Sequence, residues 1–151
     1  MDTEFVTHTV VSLDDEDRVT YQLKNEELTL EGREKALVLL FLGQSGVGKS
    51  FLIDLMCNHL KSRAWNASER YKITDDSLGD EVTAYSMKKT SLGRPVMVID
   101  TPGLGDVVEY QRNQEVISKI GVFLLGLKLE INSVCYVRTE KPSPLHKFHQ
   151  E

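Results

Sequence analysis

An α/β fold, with a mostly parallel sheet between helical layers, is predicted by three features of the sequence. Short apolar runs of strand length alternate with segments whose apolar residues recur at helical spacing. A glycine-rich loop directly follows the first strong run, residues 36–42, and a helical pattern follows the loop. A continuous apolar run suits a strand that is covered on both faces, and strands alternating with helices imply right-handed crossovers.

The length of 151 residues fits one domain of ordinary size. We divide the chain into an acidic N-terminal extension, residues 1–35, and a segment that carries the α/β pattern, residues 36–151. Short alternating stretches in the extension, such as residues 19–23, are compatible with an edge hairpin, a remnant of a preceding module, or disorder. The net charge of −5 and the lack of a basic stripe argue against a nucleic-acid partner.

Targeting signals and membrane spans are not apparent in the sequence. The N-terminus has no basic region followed by an apolar stretch, and no window approaches the roughly 20 apolar residues of a membrane span. Cys57 and Cys135 lie inside apolar runs without metal-type spacing, so we expect small buried hydrophobes in a reducing compartment. These features predict a cytoplasmic protein.

The helical pattern after the glycine-rich loop has an apolar face at spacings of three and four. The residues predicted on that face are Leu52, Leu55, Met56, His59 and Leu60. A polar, turn-rich stretch over residues 65–80 is typical of a mobile loop. A second helix is predicted over residues 109–127, with an apolar face of Val116, Ile117, Ile120, Phe123, Leu124 and Leu127.

Three further strands are predicted from the remaining apolar runs. The first covers residues 81–90, and its inward residues are predicted to be Val82, Ala84, Tyr85 and Met87. The second covers residues 95–99 and ends at Asp100, and the third covers residues 134–137. Together with residues 36–42, these runs supply the predicted sheet.

Residues 43–50, Gly-Gln-Ser-Gly-Val-Gly-Lys-Ser, match the pattern G-x-x-x-x-G-K-[ST] at every fixed position. Glycines allow the backbone to fold tightly around a phosphate, and the start of the following helix adds the positive end of its dipole. Lys49 can reach the β- and γ-phosphates, and the Ser50 hydroxyl can coordinate Mg²⁺. The predicted nucleotide-binding residues are Gly43, Gln44, Ser45, Gly46, Val47, Gly48, Lys49, Ser50 and Phe51.

The stretch Asp100-Thr101-Pro102-Gly103 follows an apolar strand, and Asp100 comes 51 residues after Lys49. At the carboxyl end of a strand next to the loop, Asp100 can hold Mg²⁺ through a water, and the Gly103 backbone N–H can meet the γ-phosphate. A threonine before the second strand is expected to complete the metal site. Thr83 is the first choice, Thr74 and Thr90 are alternatives, and Thr83 is equally compatible with an ordinary strand position. We therefore predict Ser50, Thr83 and Asp100 at the metal, and Lys49 and Gly103 as catalytic groups.

These stretches resemble a known group of proteins. The loop followed by Phe51-Leu52-Ile53-Asp54, the stretch Val-Ile-Asp-Thr-Pro-Gly-Leu-Gly-Asp at residues 98–106, and the strand at residues 132–137 resemble septin-like and immunity-associated (AIG-type) GTPases of the translation-factor-related class. The similarity runs from about Leu37 to Tyr136. It implies a G-domain-like P-loop NTPase fold that binds GTP or GDP with Mg²⁺, hydrolyses GTP slowly, and self-associates through the G-domain face.

Two departures from the family pattern affect what the resemblance implies. Leu104 stands where small signalling GTPases have a glutamine that orients water, so hydrolysis would need another group or a partner. The N/T-K-x-D motif that reads guanine is missing from the sequence, and the nearest string, residues 139–142, has the wrong order. We therefore expect a truncated G domain whose sheet is incomplete on its C-terminal side. An ATP-binding P-loop protein and a non-catalytic nucleotide-binding or interaction module are the alternatives, and the sequence leaves enzymatic activity open.

Overall fold

A mixed sheet with one helix on each face makes up the described part of the computed structural model. The structure describes residues 7–13, 19–24, 36–68, 70–71, 81–104, 110–127 and 130–140. Its strands are β1 (Thr7–Ser12), β2 (Val19–Lys24), β3 (Leu37–Gly43), β4 (Thr83–Met87), β5 (Val96–Asp100) and β6 (Ser133–Val137). Its helices are α1 (Lys49–Leu60) and α2 (Tyr110–Leu127).

The order of strands across the sheet is β2-β1-β4-β5-β3-β6. β3 pairs in parallel with both β5 and β6, and β1 pairs in parallel with β4. The β1–β2 and β4–β5 pairs are antiparallel. The predicted α/β fold with a mostly parallel sheet is therefore confirmed.

The core lies on both faces of the sheet, because the central strands are covered by a helix on each side. All five residues of β5 are buried, as expected for a strand in the middle of such a sheet. On the α2 face, residues of β3, β4 and β5 pack against Val116, Ile120 and Phe123. On the α1 face, the same strands pack against Ile53 and Cys57. This sandwich fixes both the strand ends and the start of α1, which carry the site.

The buried face of α1 differs from the one predicted. The face turned to the sheet is formed by Ile53, Cys57 and Leu60, whereas Leu52 and His59 are exposed. Lys49, the first residue of the helix, is also buried. Residues four, eight and eleven positions after Lys49 share its side of a helix with 3.6 residues per turn. The prediction from apolar spacing is therefore only partly right, because Met56 and Leu60 pack against the core whereas Leu52 lies on the exposed side.

The other predicted elements are close to their observed positions. β4 is shorter than predicted because the chain turns after Met87, and Val82, Ala84, Tyr85 and Met87 are buried as expected. In α2, the side chains of Val116, Ile120 and Phe123 are buried and that of Leu124 is partly buried. Ile117, which was predicted on the apolar face of α2, is about half exposed. The side chain of Leu127 and most of the polar stretch 65–80 lie outside the described residues.

The two cysteines differ in burial. Cys57 is fully buried in α1, as predicted, whereas Cys135 is only partly buried. The reason is that β6 lies at the edge of the described sheet and pairs with β3 alone. Val134 and Tyr136 of the same strand are 57% and 63% exposed.

The N-terminal segment contributes two strands to the same sheet. β1 and β2 form an antiparallel hairpin, the first of the alternatives left open by the sequence. β1 also pairs with β4, so that Thr9 lies opposite Thr83 and Val10 opposite Ala84. Val10, Val11 and Leu13 are buried. The hairpin therefore extends the sheet beyond β4, and β4 has a neighbour on each side.

A hydrogen-bonded junction joins β1, α1 and the segment after α1. The buried Asn58 side chain donates from Nδ2 to the Tyr71 carbonyl at 2.9 Å, and its Oδ1 accepts from the Tyr71 backbone N–H at 2.8 Å. Asn58 Nδ2 also donates to the Asp54 carbonyl at 2.8 Å. The Tyr71 hydroxyl donates to the Leu13 carbonyl at 2.7 Å.

Neither helix in the described part of the chain has the length and hydrophobicity that crossing a bilayer requires.

Candidate functional site

The loop between β3 and α1 takes its shape from glycines. Gly46 and Gly48 have φ angles of 75° and 88°, in the left-handed region that side chains with a Cβ avoid. Gly48 is the N-cap of α1, and the first turn of the helix contains no acidic residue. Because no side chain caps this helix end, its first backbone N–H groups remain available to an anion.

A cleft of about 280 Å³ opens at the carboxyl ends of β3 and β5. Its lining combines the loop, the first turn of α1, the start of β4 and the end of β5. The lining residues are Gln44, Ser45, Gly46, Gly48, Lys49, Ser50, Phe51, Glu81, Thr83, Asp100, Thr101, Pro102 and Gly103. The cleft thus brings together most of the residues predicted from the sequence.

Gly43 and Val47, which were predicted among the nucleotide-binding residues, do not line the cleft. Gly43 ends β3 at its contact with β6, where an added Cβ would lie 2.6 Å from the Val137 carbonyl oxygen. Real Cβ atoms essentially never approach this closely, so the glycine permits the two strands to pair. The Val47 side chain is half-buried and points at the same place. Both residues therefore support the loop from the side of β6 and do not face the cleft.

A buried ion pair lies at the base of the cleft. Lys49 Nζ lies 2.7 Å from Asp100 Oδ1, and both side chains are more than 90% buried. The same ammonium donates a second hydrogen bond to the Thr101 carbonyl. Ser50 Oγ donates to the other carboxylate oxygen, Asp100 Oδ2, at 3.2 Å. The lysine, serine and aspartate that were predicted separately therefore form one connected group.

Thr83 is the candidate threonine that lies at the cleft. It is buried, begins β4, and stands directly opposite Asp100 in the antiparallel pair of β4 and β5. Thr90 lies in the turn at the other end of β4, where its hydroxyl donates to the Arg94 carbonyl at 2.6 Å. Thr74 lies outside the described residues. The oxygen donors of Ser50, Thr83 and Asp100 fit the preference of Mg²⁺ for hydroxyl and carboxylate ligands.

Gly103 lies against the glycine-rich loop. A Cβ added there would lie 2.6 Å from the Ser45 backbone nitrogen and 2.7 Å from its Cα. The next residue, Leu104, donates its backbone N–H to the Gly43 carbonyl at 2.8 Å. The Leu104 side chain is partly buried against the core on the α2 face. The segment after β5 therefore follows the loop closely, and only a residue without a side chain fits at Gly103.

Glu81, Thr101 and Pro102 line the cleft although the sequence did not predict them as site residues. Thr101 and Pro102 lie within the stretch Asp100–Gly103, and their closeness to Asp100 in the sequence could have identified them as residues of the cleft. The Thr101 hydroxyl donates to the Phe41 carbonyl at 2.7 Å and thereby fixes the end of β5 to β3. Glu81 had no such signal, and its exposed carboxylate lies 3.3 Å from Lys119 Nζ.

In this chain a strand leads into a turn of left-handed glycines, and a helix that begins with a lysine and a serine follows. This is the phosphate-binding arrangement of P-loop nucleotide-binding domains, and the chain is such a domain. The family model for septins matches residues 33–121, which is more than half of the chain. The chain therefore belongs to the septin family. This confirms the septin part of the resemblance, while the immunity-associated subclass and the truncation stay predictions.

Two curated proteins share local similarity with the chain. The small ribosomal subunit biogenesis GTPase RsgA of Borrelia garinii subspecies bavariensis is 35% identical over 88 residues, which cover 54% of this chain and 26% of that protein. The chromosomal replication initiator protein DnaA of Oenococcus oeni is 43% identical over 53 residues, which cover 35% of this chain and 12% of that protein. The chain thus spans about a quarter and about an eighth of these relatives. No significant match to a solved structure is found.

Proposed function

We propose that this domain binds GTP and GDP with Mg²⁺ at the cleft. The observation that carries the proposal is the convergence of Lys49, Ser50 and Asp100 beside an open helix N-terminus. Membership of the septin family and similarity to a relative named as a GTPase support guanine as the base.

The phosphates would lie in the curve of the loop, against the backbone N–H groups of residues 46–50 and the Lys49 ammonium. Ser50 and Thr83 would bind Mg²⁺ through their hydroxyls, and Asp100 would hold it through a water. The ion would neutralise charge on the phosphates. The Gly103 backbone N–H would meet the γ-phosphate and report its presence to the segment that follows.

Slow hydrolysis of GTP is part of the same proposal. The Leu104 side chain has no hydrogen-bonding group and packs toward the core, so it would not orient an attacking water. The reaction would then depend on backbone groups, on Lys49 and on a further residue or partner. The family resemblance also implies self-association through the nucleotide-binding face, and the cytoplasmic location stays a prediction.

A second candidate function is nucleotide binding without selection of the base and without turnover. It is favoured by the lining of the cleft, which in the described part of the chain comes only from the loop, α1, and the segments around Thr83 and Asp100. None of these elements carries the N/T-K-x-D motif with which the family reads guanine. Under this candidate, ATP and GTP would bind with similar affinity.

Isothermal titration calorimetry with GTP, GDP and ATP in the presence of Mg²⁺ tests the proposal. Lys49→Ala should weaken triphosphate binding by about a hundredfold or more, roughly 2.7 kcal/mol, because the lysine is the cation that faces the phosphates. Lys88→Ala is the matched control, since this exposed lysine lies in the turn at the far end of β4 and should leave binding unchanged.

Unchanged triphosphate affinity in Lys49→Ala would show that the cleft is not the nucleotide site. A preference for GTP over ATP above about a hundredfold would exclude the second candidate, because such selectivity requires a group that reads the base. Similar affinities for the two nucleotides would favour it. Release of phosphate from GTP, measured over hours, separates slow hydrolysis from binding alone.

A further inference from the structure

Asp100 already engages the groups that the nucleotide would need. Lys49 donates to Asp100 Oδ1 and to the Thr101 carbonyl, and Ser50 donates to Asp100 Oδ2. Lys49 is the only lysine or arginine among the described residues that line the cleft. A phosphate group that enters the cleft must therefore compete with a buried carboxylate for its principal cation.

The free-energy cost of separating Lys49 from Asp100 depends on which species enters the cleft. Moving Lys49 toward a phosphate leaves the Asp100 carboxylate buried without its cation, which is a strongly unfavourable state. A metal-free triphosphate would worsen it by placing further negative charge beside the carboxylate. A magnesium complex would bring a second cation, which takes the place of the Lys49 ammonium near Asp100 as the lysine turns to the phosphates.

We propose that the Lys49–Asp100 pair is a latch that reserves the cleft for the Mg²⁺ complex of a nucleoside triphosphate and rejects the metal-free form. The latch rests on the proposed nucleotide site and adds a specific role for Asp100. Besides holding the metal, the carboxylate restrains the lysine until a cation replaces it. Metal ions and Lys49 therefore compete for Asp100, whereas metal ions and nucleotide bind cooperatively.

A preference for Mg²⁺ does not by itself test the latch, because the ion screens phosphate charge in any site. Asp100→Asn does test it, since the amide keeps the shape of the side chain and removes its charge. If Asp100 served only the metal, this variant would bind nucleotide more weakly in Mg²⁺, and in EDTA it would gain only what the removal of one negative charge near the phosphates provides. The latch adds the release of Lys49 to that gain, so it predicts a larger effect in EDTA and an effect of opposite sign in Mg²⁺.

The first experiment measures GTP affinity of the wild type and Asp100→Asn in Mg²⁺ and in EDTA. In EDTA, the variant should bind at least about tenfold more tightly, the lower end of what one charge-assisted hydrogen bond contributes. In Mg²⁺, it should bind more weakly than the wild type. Equal or weaker binding of Asp100→Asn in EDTA overturns the latch, provided that circular dichroism shows a folded variant.

A second measurement needs no nucleotide and retains the native carboxylate. Mn²⁺, a spectroscopic substitute for Mg²⁺, is titrated into the wild type and into Lys49→Met, and the free ion is followed by electron paramagnetic resonance. Release of Asp100 from the lysine should tighten Mn²⁺ binding by at least about tenfold. Equal binding by the two proteins overturns the latch even if Asp100→Asn does not fold. Failure of the wild type to bind any nucleotide would instead refute the proposed function.

Discussion

Substitution of Gly103 by alanine tests the closeness of the loop and the segment after β5. The added Cβ would lie 2.6 Å from the Ser45 nitrogen and 2.7 Å from its Cα, and these atoms belong to the backbone. Rotation of a side chain cannot relieve such contacts, so one of the two segments must move by several tenths of an ångström. The φ angle at Gly103 is not in the left-handed region, so the effect comes from packing alone.

The expected cost has two parts. Overpacking of a close contact costs about 1–3 kcal/mol, and distortion of the hydrogen bond from the Leu104 N–H to the Gly43 carbonyl adds about 1 kcal/mol. The total of about 2–4 kcal/mol corresponds to a fall in Tm of about 5–15 °C for a chain of this size. Because the segment that moves includes either Ser45 or Gly103, nucleotide affinity should fall as well.

Thermal unfolding followed by circular dichroism measures the first effect, and titration calorimetry with GTP and Mg²⁺ measures the second. Gly121→Ala is the matched control. This glycine lies within α2, and a Cβ there would meet nothing within 4 Å. The control should stabilise the protein by about 0.5–1 kcal/mol through its higher helix propensity. A Gly103→Ala protein with wild-type Tm and wild-type affinity would refute the contact between Gly103 and Ser45.

Two further predictions concern the junction of β1, α1 and Tyr71. Asn58→Ala should lower the free energy of unfolding in urea by about 2–3 kcal/mol, because it leaves the Tyr71 N–H and carbonyl without their partner. A loss below about 0.5 kcal/mol would show that water replaces the amide. Tyr71→Phe should cost only about 1 kcal/mol, because it removes the single hydrogen bond to the Leu13 carbonyl and keeps the ring. A loss as large as that of Asn58→Ala in the same urea titration would contradict this assignment.

The parts of the fold that could be predicted are those where local chemistry restricts the residue type. The loop is recognisable because left-handed φ angles at Gly46 and Gly48 demand glycine, and because a lysine and a serine must follow at fixed positions. β5 is recognisable because a strand buried on both faces is a continuous apolar run. In both cases, the physical constraint acts on neighbours in the sequence.

The features that could not be predicted depend on distant contacts. The rotation of α1 is ambiguous in the sequence, because Leu52 and Leu55 compete with the apolar set of Ile53, Cys57 and Leu60 that faces the sheet. Lys49 and Asp100 were predicted at one site, but their direct ion pair across 51 positions was not. The hydrogen bonds between the Asn58 side chain and Tyr71 use backbone groups that any residue would supply. The hairpin of β1 and β2 is a polar, weakly alternating segment whose place beside β4 follows only from the assembled sheet.

The pairing of β1 with β4 has a consequence for the order in which the chain folds. Thr9 pairs with Thr83, so β1 needs a partner 74 positions later in the sequence. At a synthesis rate of about 5–20 residues per second, β1 leaves the ribosome about 4–15 s before that partner is made. During that time the hairpin of β1 and β2 can form from local contacts. The edge of β1 that later pairs with β4 is then still without a neighbouring strand. β4, which begins at Thr83, is thus the strand that completes the pairing of the N-terminal hairpin, and it also lines the nucleotide cleft.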